Sequence, residues 1–299
     1  MGGAGASVMG VAARRPVSFA TLLRLGRVSN LPTVWTNVLA GTVLAGAEWQ
    51  SWRTGAVLLA MTLFYVGGMY LNDYFDRSVD ARERPERPIP AGDIAPETVV
   101  AIGFGLLFAG VVLLFGLGVG AAISGVLLAV AIVGYDAFHK GNPLAPLVMG
   151  LCRALIYGTA AAAAIASVTG TVWLAALALL AYVAGLTYAA RQENLDQVGN
   201  LWPLLLLAGP IVLALPAVYQ GPIAFVLYLM LVGWTVYGVY LLAKRPMAGA
   251  VSRAVGFFIA GVSLVDAALL ASAGAIPAAL IATAGFAATL ALQRSIAGT

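Results

Sequence analysis

The chain of 299 residues is 62% hydrophobic and only 9% charged, carries 35 glycines, and has a net charge of +4. Soluble domains run at about 45–50% apolar and about 25% charged, so a water-soluble enzyme, a disordered tail and a nucleic-acid-binding module are excluded. A transmembrane β-barrel would alternate apolar and polar residues in roughly 10-residue strands; the runs here are longer and continuously apolar. The chain reads as all-α, a polytopic transmembrane helical bundle. Its single cysteine, Cys152, lies in an apolar run, which leaves no disulfide framework or cysteine zinc site and reads as a small buried residue.

Residues 1–13 are small and weakly apolar and are followed by Arg14-Arg15. A signal peptide has the opposite order, charge first, so residues 1–23 read as a short cytoplasmic lead-in to one membrane-embedded domain covering 1–299. Spans of about 20 apolar residues are expected near 29–47, 54–74, 96–115, 118–136, 144–166, 170–190, 201–219, 222–243, 252–272 and 275–293. The closely joined last pair makes the count nine to ten. Pro210 and Pro216 are expected to kink the seventh, and Trp234 to pack within the eighth. Fourteen of the sixteen Lys and Arg fall on one side of these spans, leaving Arg53 opposite and Arg153 inside a span. The positive-inside rule then puts both termini and the even-to-odd loops in the cytoplasm.

Five of the twelve acidic residues fall in one stretch after the second span. Continued as a helix, that stretch spaces Asp73, Asp76 and Asp80 at i, i+3 and i+7, with Asn72 four before Asp76, so four oxygen-bearing side chains share one face. Like charges at that spacing repel, and a divalent cation is the usual offset. Oxygen-only ligands point to magnesium, which keeps waters and takes further ligands from phosphates. The neighbouring Arg82, Arg84 and Arg87 suit the same phosphates. A weaker cluster follows the sixth span: Glu193, Asp196 and Asn200 each lie 120 positions after Asp73, Asp76 and Asp80, the pattern of two pseudo-repeated halves. Arg153 and Asp266 sit inside apolar spans and are expected to pair with each other, or Arg153 to reach the cavity. Asp136 and His139 read as interfacial residues.

Asn72-Asp73-Tyr74-Phe75-Asp76-Arg77-Ser78-Val79-Asp80 resembles the first motif of the UbiA superfamily of membrane prenyltransferases, Asn-Asp-x-x-Asp-x-x-x-Asp. Arg87-Pro88-Ile89-Pro90-Ala91-Gly92 is similar to the segment that follows it, and Arg27-Val28-Ser29-Asn30-Leu31-Pro32-Thr33 to the family's opening. Tyr135 and Lys140 resemble its Tyr-x-x-x-Lys pair, with Lys one position late and His139 in its place. The second motif departs from the usual two or three aspartates, and in this it is similar to the UbiA-like EboC branch.

The resemblance implies a helical fold with two acidic motifs facing across a cavity, and magnesium-dependent transfer of a prenyl group from a prenyl diphosphate to an aromatic or other lipophilic acceptor in the membrane. It implies metal ligation by Asn72, Asp73, Asp76, Asp80, Glu193 and Asp196, catalysis by Asp76, Asp73 and Tyr135, and substrate binding by Arg27, Asn30, Arg87, Lys140, Arg153, Arg191, Asn194 and Asn200. Tyr65, Tyr70 and Phe75 would stabilise an allylic cation. The implied partners are the prenyl diphosphate, the acceptor and membrane lipid, with no nucleic acid, and the implied place is the bacterial cytoplasmic membrane. Two rivals remain: a transporter, whose sites usually lie near the bilayer midplane, and a lipid- or small-molecule-binding protein with little or no catalysis.

Overall fold

The computed structural model describes residues 17–164, 168–192 and 198–296. Within them the chain forms eleven α-helices and no strand: α1 Phe19–Leu25, α2 Leu31–Leu44, α3 Trp52–Glu83, α4 Pro96–Phe115, α5 Val119–Phe138, α6 Ala145–Ala164, α7 Gly170–Ala190, α8 Gly209–Leu213, α9 Pro222–Lys244, α10 Ala250–Ser272 and α11 Ile276–Leu292. Ser51 and Thr169 cap α3 and α7 through their side chains, and prolines at the first turns of α4 and α9 start those helices where no N–H is needed.

Among the described residues, eight segments are long and apolar enough to cross a membrane: α3 to α7, the broken stretch 202–219, α9 and α10. The remaining two expected spans appear as shorter helices, α2 with 14 residues and α11 with 17. Stretch 202–219 divides into 3-10 turns around the five-residue α8, because Pro203, Pro210 and Pro216 each remove a backbone donor.

α2 and α10 occupy the centre, packed on each other and on α6, α7 and α11, while α3, α4 and α5 form one flank and α9 the other. α10 is the most enclosed of the candidate spans, with 83% of its apolar window buried. The outer faces are apolar as well: Phe104, Phe108, Val112 and Phe115 form an exposed stripe along α4, as a lipid-facing surface requires. Trp234 packs edge-on between Phe257 and Phe286, both at 4.7 Å, as expected of a mid-span tryptophan. Arg53, the isolated cation opposite the others, donates to the carbonyls of Leu117 and Ala163 at 2.8 Å each and ties together the ends of α4 and α6.

α2 and α6 can touch because Gly41 has no side chain. A Cβ there would lie 2.7 Å from the Tyr157 carbonyl oxygen and 2.8 Å from its Cα. Gly41→Ala is therefore expected to lower stability by about 1–3 kcal/mol. Gly55→Ala, whose Cβ would meet nothing within 4 Å, should not. Thermal unfolding of both variants in one detergent checks the contrast.

The two expected halves differ at the helices that carry the polar motifs. α3 has 32 residues, about 48 Å of helix against about 30 Å of hydrocarbon, and runs on through Asp80. α7 stops at Ala190.

Candidate active site

α3 stays helical through Asn72, Asp73, Asp76 and Asp80 because the stretch lacks glycine and proline until Pro85. The face the spacing predicts is present, but protein cations offset its repulsion. Asp73 Oδ1 accepts from Arg27 and from Arg87 at 3.1 Å each, and Arg87 also donates to Asp80 at 3.1 Å. Lys140 Nζ lies 2.7 Å and His139 Nε2 3.6 Å from Asp76 Oδ1.

Arg27 reaches the motif from a left-handed backbone conformation, φ 41°, which is costly for a residue with a Cβ. The Tyr65 hydroxyl donates to its carbonyl at 3.2 Å, and its guanidinium also donates to Asn72 Oδ1 at 3.2 Å. Burial works against the Arg27 charge, yet Asp73 above all, with Tyr65, Asp76 and Asp136, raises its pKa above the ordinary guanidinium value. It is a permanently charged group held in place.

Beside this face lies a cavity of about 360 Å³ enclosed by α3, α5, α6, α7 and α10. Of the expected site residues, Arg27, Asn30, Asn72, Asp76, Arg87, Tyr135, Arg153 and Arg191 line it. Asp73, Asp80 and Lys140 stand behind the wall, holding Arg27, Arg87 and Asp76 respectively. Asn30 accepts from Gln293 at 3.0 Å, and Arg191 donates to the Asn142 carbonyl at 2.9 Å. Tyr65 lines the cavity. Tyr70 and Phe75 do not: the Tyr70 hydroxyl donates to the Leu22 carbonyl at 3.2 Å and Phe75 packs on Tyr74, which corrects their expected role.

The second cluster differs. Glu193, Asn194 and Asp196 lie outside the described residues. Asn200 is exposed and non-helical; its side chain accepts from the Trp202 N–H at 3.1 Å and its carbonyl from Tyr188 at 2.9 Å. The helical i+7 position expected of Asn200 is not realised, because it forms a turn into the 3-10 segment instead.

Asp136 is the residue that sequence reasoning placed wrongly. It is buried on the cavity wall, Asn72 Nδ2 donates to its Oδ1 at 3.2 Å, and its Oδ2 has no hydrogen-bond partner among the described residues. His139 also lines the cavity and stacks on Tyr135 at 4.9 Å. The signal in sequence was the i, i+3 spacing of Asp136 and His139 beside Tyr135. Arg153 and Asp266 do pair, through an intermediary: Arg153 donates to Asn37 Oδ1 at 3.0 Å, and Asn37 donates to both Asp266 oxygens at 3.0 and 2.8 Å.

Among the described residues no three Asp, Glu, His or Cys side chains converge on one metal position. Asn72 and Asp76 on α3 and the unpartnered Asp136 oxygen on α5 nevertheless line one cavity with oxygen donors. That set fits a magnesium ion whose other ligands are waters and phosphate oxygens.

Residues 34–243 match the model of the UbiA prenyltransferase family. A digeranylgeranylglyceryl phosphate synthase of Methanothrix thermoacetophila is 33% identical over 126 residues, covering 42% of this chain and 47% of that protein. A synthase of the same name from Natronomonas pharaonis is 28% identical over 274 residues, 84% of this chain and 94% of that protein. The chain thus spans about half the length of the first relative and nearly all of the second. Among solved structures, a digeranylgeranylglyceryl phosphate synthase matches with a TM-score of 0.63 at 20% identity, over 86% of this chain and 98% of that one. A UbiA homolog from Archaeoglobus fulgidus bound to GPP and Mg2+ matches with a TM-score of 0.61 at 14% identity, over 91% and 99%. These likenesses show the fold.

Proposed function

The chain belongs to the UbiA prenyltransferase family, and from that premise we propose that it catalyses magnesium-dependent transfer of a prenyl group from a prenyl diphosphate to a lipophilic acceptor within the membrane. The observation that carries this reading is the division of the cavity. Arg27, Arg84, Arg87 and Arg191 gather with Asn72 and Asp76 at the end of α3, while Met61, Phe64, Leu128 and Ile132 line the apolar remainder.

In this reading Arg27 and Arg87 neutralise diphosphate oxygens, with Asp73 and Asp80 fixing their guanidinium groups in place. Asp76 and Asn72, with Asp136 beside them on the cavity wall, would hold magnesium, which would stabilise the charge that builds on the departing diphosphate; Glu193 and Asp196 are proposed as further ligands from the second motif. Tyr65 offers an aromatic face to the allylic cation, worth about 0.5–2 kcal/mol, and Tyr135 orients the phosphate or the acceptor. The apolar wall takes the isoprenoid tail and keeps water from the cation.

The relatives' name, digeranylgeranylglyceryl phosphate synthase, supports a phosphate-bearing glycerol lipid as the acceptor class to test first, ahead of aromatic acceptors. The protein is integral to the membrane, and the cation asymmetry supports an acidic motif facing the cytoplasm. The relatives are archaeal and lend no support to a bacterial membrane.

One observation favours the rival binding protein: every carboxylate of the first motif already has a cationic partner. Purified chain in lipid nanodiscs, given labelled prenyl diphosphates of several lengths, magnesium and both acceptor classes, separates the two. A catalyst yields a prenylated product and free diphosphate, and chelating the magnesium stops both. A binding protein returns the prenyl diphosphate intact with or without chelator, and that result would end the assignment.

A further inference from the structure

The polar groups of the cavity stand at two depths. Asn72 and Asp76 mark the first. Arg153 on α6 marks the second, its guanidinium carbon 5.8 Å from the centre of the Tyr65 ring. Tyr65 precedes Asn72 by seven residues and Asp76 by eleven on the same helix, so its level lies about 10 Å and about 16 Å from them along α3. A diphosphate held at Asp76 is too short to occupy both levels.

Arg153 lines the cavity inside a membrane span, where a guanidinium is costly and marks function. Its charge is compensated at one remove. Arg153 Nη1 donates to Asn37 Oδ1 at 3.0 Å, and Asn37 in turn donates to both oxygens of the fully buried Asp266. The Tyr157 hydroxyl donates to the same carboxylate, and Thr36 beside it bonds Ser263 at 3.1 Å. A direct Arg–Asp pair would have engaged the guanidinium fork from two sides. With Asn37 between them, Arg153 spends one N–H of its five-donor fork on this bond and itself lines the cavity.

We propose that Arg153, positioned by Asn37 and Asp266, binds the anionic head group of the prenyl acceptor, a phosphate monoester or a carboxylate, and so selects anionic over neutral acceptors. The inference rests on the prenyl-transfer reading and adds the class of acceptor to it. A short spacer between the acceptor's nucleophilic oxygen and its own anion, as in a glycerol phosphate, bridges the two levels: the hydroxyl oxygen bonds the allylic carbon between Asn72 and Tyr65 as that carbon's bond to diphosphate breaks, its proton passing to the released diphosphate, while the anion rests against Arg153. A merely structural Arg153, tying α2 to α6 and α10, would not distinguish acceptors by charge.

The test compares a prenylglyceryl phosphate with the same lipid lacking its phosphate, using wild type, R153K and R153Q/D266N. The double variant removes both charges and keeps hydrogen-bonding capacity, so it leaves no uncompensated carboxylate to unfold the chain. The ratio of kcat/KM for the phosphate lipid over the neutral lipid should fall about tenfold or more in the double variant, the equivalent of one charge-assisted hydrogen bond. The fall should come through the phosphate lipid's KM, and R153K should recover part of it. An unchanged ratio, whatever the absolute loss, overturns the proposal. Equilibrium binding of the phosphate lipid without prenyl diphosphate gives a second readout independent of turnover. About tenfold weaker binding by the double variant supports the proposal even if prenyl transfer is absent, and equal binding overturns it.

Discussion

Asp76→Ala is expected to lower magnesium-dependent diphosphate release by about 10²–10³-fold, the usual loss when one preorganised electrostatic stabiliser is removed. Asp76 is the one carboxylate of the first motif on the cavity wall. Asp73 and Asp80 stand behind it and act through Arg27 and Arg87. Their alanine variants should therefore lose less rate and more stability, because each leaves a largely buried guanidinium short of its partner. Diphosphate release and thermal unfolding, measured side by side on the three variants, resolve the pattern. An Asp76→Ala protein with wild-type turnover would remove the metal clamp from the mechanism.

Asp266→Ala is expected to cost about 3–5 kcal/mol of stability, the loss typical of breaking a buried ion pair from one side. Asp266 is fully buried and accepts from Asn37 twice and from Tyr157. Its loss leaves the Arg153 charge uncompensated and Asn37 Nδ2 and the Tyr157 hydroxyl without an acceptor. Asp266→Asn keeps hydrogen-bonding capacity and removes the charge, so it should fall between wild type and alanine. Thermal unfolding in one detergent gives the order directly. An alanine variant as stable as wild type would mean that Arg153 is neutralised elsewhere.

The first motif was legible because its helix was. From Asn72 to Asp80 the chain has neither glycine nor proline, so helical register carries unbroken, and a shared face follows from spacing alone. The same arithmetic misplaced Asn200. α7 stops at Ala190, and beyond it the side chains of Gln192 and Asn200 accept from the N–H groups of Gly199 and Trp202 in place of helical bonds. A numerical repeat does not reveal where helix gives way to turn.

Asp136 was hidden for another reason. At the end of an apolar run it has the pattern of an interfacial carboxylate, and only the packing of α3 against α5 turns it inward to Asn72. The pairing of Arg153 with Asp266 could be anticipated because two charges inside spans need partners. Asn37 as the link could not, since a single asparagine in an apolar run carries no periodic signal. Two shorter helices among ten expected spans show the limit of hydropathy as well: α2 reaches its central place with 14 residues because its neighbours enclose it on nearly every side.

The most direct measurement is the anomalous signal of Mn2+ in crystals grown with a non-hydrolysable prenyl thiodiphosphate. The account predicts a peak about 2.0–2.1 Å from an Asp76 carboxylate oxygen, near the ideal magnesium distance, bridging to the diphosphate with Arg27 and Arg87 on its outer oxygens and the tail along Met61 and Phe64. Diphosphate bound without contact to Asp76, or metal found only outside the α3–α5 cavity, would contradict it.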